Sequence, residues 1–106
     1  MAELSYKDVR NEIMSALQLL YEIIPYTGVR EGQVLMGAYD ALHRELAKLD
    51  SKHLAQSNEK YAALTLRFKS SKSALAAAKK KADDLADRLN LTAQAIGSLT
   101  KLIGVL

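Results

Sequence analysis

From Tyr61 to the last residue one stripe runs without a slip. Tyr61, Leu64, Phe68, Ser71, Leu75, Ala78, Ala82, Leu85, Leu89, Thr92, Ile96, Leu99, Ile103 and Leu106 follow one another in alternating steps of three and four. That spacing is the heptad seam of a helix packed lengthwise against other helices; a half-buried strand would alternate every second residue instead. A chain so patterned is built to lie against helices rather than to shape a substrate pocket.

The rest of the sequence agrees. With one Pro, five Gly, one Phe and no Trp in 106 residues, tight turns are few and the core has to come from Leu, Ile, Val and Ala. The length suits one modest core. We therefore expect a single all-α domain over residues 1–106: a three-helix antiparallel bundle, with room for a short fourth helix, in which a long heptad-patterned C-terminal helix packs in coiled-coil fashion. The approximate helices are 5–24, 31–54 and 58–103.

Local signals set those bounds. Ser5 with Asp8 three residues on forms an N-terminal cap, and Asp8 and Glu12 suit the positive end of a helix dipole. Val9, Ile13, Ala16, Leu17, Leu20, Ile23 and Ile24 then make a wide apolar face, which Pro25 closes. A loop follows through Gly28 and Gly32. Leu35, Tyr39, Leu42, Leu46 and Leu49 make a second seam, out of phase with the first, so a turn is expected within Asp50–Asn58. Asn90-Leu91-Thr92 offers a further break, with Asn as a left-handed cap and Thr as a new N-cap. The undisturbed heptad phase across it argues for a continuous helix.

Charge divides the chain. Residues 1–50 hold five basic and eight acidic side chains, and residues 51–106 hold ten basic and four acidic. Every charge on the edges of the C-terminal seam is positive: Arg67, Lys72, Lys79, Lys81 and Arg88. Such edges favour an acidic neighbour. The chain itself offers Glu12, Glu22, Glu31, Asp40, Glu45 and Asp50, and a partner protein with an acidic face is the external equivalent.

Catalytic and cofactor chemistry finds little footing. The absence of Cys excludes disulfides and thiolate metal sites. His43 and His53 are ten residues apart, not the four that a helical metal pair needs, and Asp40 with His43 has no second pair to match it. Gly28 to Gly32 lacks the Lys-Ser/Thr that follows a phosphate loop and reads as a turn and helix start. No enzyme activity, metal or cofactor is expected. No secretory signal or apolar span of membrane length is visible, so the expected location is cytoplasmic. The nearly uncharged segment 93–106 is expected to bury its face in the bundle or a dimer contact rather than in a membrane.

The function expected from these features is non-catalytic protein–protein interaction, as a small adaptor, chaperone-like or inhibitory protein and a homodimer. Leu85, Leu89, Ile96, Leu99 and Ile103 would be its apolar anchors, and Lys72, Lys79 and Arg88 would select an acidic partner. The alternative is nucleic-acid association through Lys69, Lys72, Lys79, Lys80, Lys81 and Arg88. Against it, no aromatic is interleaved for base stacking, and Asp83, Asp84 and Asp87 follow at once.

Overall fold

The computed structural model describes residues 4–51, 60–61 and 65–106. Among these, five α-helices pack against one another, joined by one 3-10 turn and one antiparallel pairing of two-residue strands. Helix α1 (Tyr6–Ile23) begins as its sequence predicts: the Asp8 N–H donates to Ser5 Oγ at 3.1 Å. It stops at Ile23, where Pro25 forces a 3-10 turn over Ile24–Tyr26. Helix α2 (Val29–Ser51) follows after two residues.

The close approach in this connection involves Gly32. Thr27 Oγ1 donates to the Ile24 carbonyl at 2.6 Å, and a Cβ on Gly32 would sit 2.9 Å from that oxygen. Gly37, in the same helix, faces open space. Gly37→Ala should therefore add about 0.5–1 kcal/mol from reduced backbone entropy in the unfolded chain. Gly32→Ala should lower the melting temperature, because Thr27 has to leave its hydrogen bond. Thermal melts followed by circular dichroism compare the two.

The third helix departs from expectation. Instead of running from 58 to 103, the chain at Lys60–Tyr61 (β2) is extended and pairs with Leu4–Ser5 (β1), Leu4 opposite Tyr61. Thr65 then caps a short helix α3 (Leu66–Ser70), its Oγ1 accepting the Phe68 N–H at 3.1 Å. A one-residue turn at Ser71 leads into α4 (Lys72–Leu85). The turn expected within Asp50–Asn58 falls mainly on residues outside the described ones, as do His53 and Leu64. Asp50 and Ser51 belong to α2.

The decisive correction comes after Leu85. The Leu91 N–H returns to the Ala86 carbonyl at 2.9 Å, and Asn90 adopts φ 52°, the left-handed conformation that terminates helices. Thr92 caps α5 (Ala93–Val105), accepting the Ala95 N–H at 3.1 Å. Residues 86–92 are seven in number, one heptad, so the interruption leaves the phase of the stripe unchanged while α5 turns back onto α4 and α1. A straight helix from 58 to 103 would measure ~69 Å, but the longest dimension of the described residues is 37 Å.

One core serves all five helices. Val9, Ile13, Leu20 and Ile23 from α1 meet Leu35, Leu42 and Leu49 from α2, Phe68 from α3, Leu75 and Leu85 from α4, and Leu99 and Leu102 from α5. Ala16, Ala38, Ala78 and Ala82 are also fully buried, and side chains this small permit close approach of the helix backbones. The stripe of α4 is buried as expected. That of α5 is rotated: Ser98 and Leu102 are buried with Leu99, while Ile96 and Ile103 are only partly covered. Leu19, outside the expected face of α1, is buried too, because α1 packs against both α2 and α5.

Candidate interaction surface

Two of the five cations on the edges of the C-terminal seam, Arg67 and Lys81, find acids in the N-terminal half, as does Lys101, which lies off those edges. Lys81 of α4 reaches Glu31 of α2 at 3.3 Å, Arg67 of α3 reaches Asp40 of α2 at 3.3 Å, and Lys101 of α5 reaches Glu12 of α1 at 3.5 Å. Arg10 and Asp50 join the start of α1 to the end of α2 at 3.1 Å. Each pair has at least one well-exposed member and is worth ~0–1 kcal/mol. Glu12 is the most covered of these side chains, its Oε2 buried without a hydrogen-bond partner among the described residues. The pairs set which helix faces which rather than holding the fold together. Lys79 is occupied within its own helix by Asp83, one turn on, at 3.0 Å.

Glu45 is the exception in depth, being 1 % exposed on α2. Thr65 Oγ1 donates to its Oε2 at 2.7 Å while accepting from Phe68, and Lys48 lies 3.9 Å from its Oε1. Burial of a carboxylate demands such partners. The Glu45–Thr65 hydrogen bond thereby fixes the start of α3 on α2.

The expected anchors are mostly consumed by the chain's own packing. Leu85 and Leu99 lie in the core, and Leu89, Ile96 and Ile103 pack partly against it. Their burial leaves little apolar surface on α4 and α5 for another protein. Of the expected charged residues, Lys69, Lys72, Lys80 and Arg88 are exposed and make no ion pair among the described residues. Lys79 and Lys81 are the paired ones.

The exposed apolar side chains lie elsewhere. Met14 and Tyr21 stand one heptad apart on α1, and Val29 and Met36 one heptad apart on α2, so each pair shares a helix face. Tyr21 is 73 % and Val29 83 % exposed. The sequence carries a weak signal for them: all four fall outside the apolar faces that α1 and α2 bury.

A cleft of about 330 Å³ opens between α1 and the α4–α5 connection, with Ser15, Gln18, Glu22, Asn90 and Gln94 on its walls and Leu19, Leu89 and Leu91 below. Ser15 and Glu22 are two turns apart along α1, ~10.5 Å, too far to share a proton. His43 rests against Tyr39, ring centroids 5.0 Å apart. Its neighbour Asp40 is engaged by Arg44 at 3.0 Å and by Arg67. Among the described residues no three His, Asp or Glu side chains gather as a metal site would require, and no helix is long and apolar enough to cross a membrane.

Comparison with protein-family models, with curated proteins and with solved structures gives no match.

Proposed function

We propose that this protein is a non-catalytic helical interaction module, an adaptor, chaperone-like or inhibitory protein that works by binding a second copy of itself or an acidic-faced partner. The observation that carries the reading is the exposed apolar pairs, Met14 with Tyr21 and Val29 with Met36, on helices whose opposite faces are fully buried. Exposed Met side chains give adaptable contact area, and Tyr gives large contact area at low ordering cost. Ion pairs such as Arg10–Asp50 and Lys101–Glu12 fit an antiparallel bundle with coiled-coil-like packing, in which the seam first expected to bind a partner serves the interior. Partner choice then moves to α1 and α2, with Lys72 and Arg88 as exposed cations for an acidic face. A cytoplasmic setting suits the reading.

Four exposed cations without an ion pair among the described residues favour a second reading, sequence-independent nucleic-acid association. Reversing Lys72, Lys80 and Arg88 to Glu separates the two without touching the internal pairs of Lys79 and Lys81. If the protein works by self-association, light-scattering mass on a sizing column exceeds one chain, and the triple reversal leaves that mass unchanged. If nucleic acid is the partner, excess absorbance at 260 nm accompanies the protein and salt removes it. The reversal then flattens the slope of log affinity against log salt by about 0.9 for each phosphate no longer neutralised. A clean monomer without that absorbance overturns self-association.

A further inference from the structure

The connection between α4 and α5 is a reversal made without either of the strong helix breakers. Ala86, Asp87, Arg88, Leu89, Asn90, Leu91 and Thr92 include neither Gly nor Pro. The reversal turns on Asn90 at φ 52°, a left-handed conformation that Asn tolerates better than most residues with a side chain, and on Thr92, whose backbone is extended at ψ 153°. Leu85, Leu89, Thr92, Ile96 and Leu99 keep steps of four and three straight through it. Were Asn90, Leu91 and Thr92 all to take up the right-handed helical region, α4 and α5 would join into one amphipathic helix from Lys72 to Val105, ~51 Å long, in a single heptad phase. Asn90 and Thr92 favour the break locally, and the packing of α5 on α1 and α4, with Leu99 and Leu102 fully buried, holds the closed form as well.

We propose that the chain dimerises by exchanging α5. In each copy the α4–α5 connection straightens, and α5 docks on the α1 and α4 of the other copy exactly where it docks within one chain in the closed form. The occupant of the vacated α1 face is thus the α5 of a second copy, whose Leu99, Leu102 and Lys101 already fit that face within one chain. Exchange of an identical element restores the same packing between copies, so the balance is set by the hinge. The proposal rests on the self-association read above and gives it an interface separate from the exposed apolar pairs of α1 and α2.

The Lys101–Glu12 pair is its own reporter. A carbodiimide condenses an amine and a carboxylate that touch into an amide, and Lys101 Nζ lies 3.5 Å from Glu12 Oε1. Unlabelled and ¹⁵N-labelled chains, unfolded together and refolded at high concentration, are treated in this way and digested. Exchange yields Glu12–Lys101 crosslinks with one light and one heavy peptide in the dimer fraction. Asn90→Ala, which disfavours the left-handed turn, should raise the dimer share roughly tenfold per hinge; Asn90→Gly, which favours the turn, should lower it. The wild-type chain carries the same signature and serves if Asn90→Ala folds poorly. A dimer whose crosslinks join only like-labelled peptides overturns the exchange and leaves self-association standing. No dimer in any variant overturns both.

Discussion

Phe68→Ala should cost about 3–5 kcal/mol of unfolding free energy, a large part of the roughly 5–15 kcal/mol that holds a domain of this kind together. Phe68 is the only Phe of the chain and is fully buried. Its backbone N–H is held by Thr65, which in turn holds the buried Glu45. Truncating the ring opens a cavity in the core under α3, the short helix whose capping residue also holds Glu45. Urea unfolding followed by circular dichroism should show a lowered midpoint with an unchanged slope. A drop below about 1 kcal/mol would mean that α3 is not docked in the core.

The second large effect distinguishes two ways of turning α5. Leu102→Ala should cost about 2–5 kcal/mol and Ile103→Ala clearly less, since Leu102 is fully buried and Ile103 partly exposed. The stripe in the sequence predicts the opposite order, with Ile103 as anchor. The two positions differ by about 100° around the helix, so the ranking of the two variants reads the rotation of α5 directly. Equal costs would place the helix midway and overturn this packing.

That contrast shows where the sequence stops being legible. Helix α1 is readable at both ends because its signals are local: a Ser hydroxyl three residues from the N–H it caps, and a Pro whose ring forbids continuation. The charge asymmetry is readable as well, and the expected acids Glu12, Glu31 and Asp40 take the cations Lys101, Lys81 and Arg67. The reversal after α4 is not. Asn90 and Thr92 can each be recognised, but a seven-residue interruption is invisible to a seven-residue repeat, and an unbroken phase reads as an unbroken helix. The same substitution of one heptad explains why the expected anchors lie inside: Leu85 and Leu99 share a stripe on paper and in the structure face one core from two helices. Leu19 and Leu102 are hidden for a different reason. Helices packed on two sides bury a wider arc than a single stripe defines, and the width depends on partners that no local pattern names.

The packing of α5 on α1 brings together the two ends of the chain. About seventy residues separate the end of α1 from the start of α5, which at ~5–20 residues per second corresponds to roughly 4–14 s of synthesis. Throughout that interval α1 has been made and its α5-facing side has nothing to cover it. The charges of α1, Lys7, Asp8, Arg10 and Glu12 among them, are what that helix has to keep it in water until α5 leaves the ribosome.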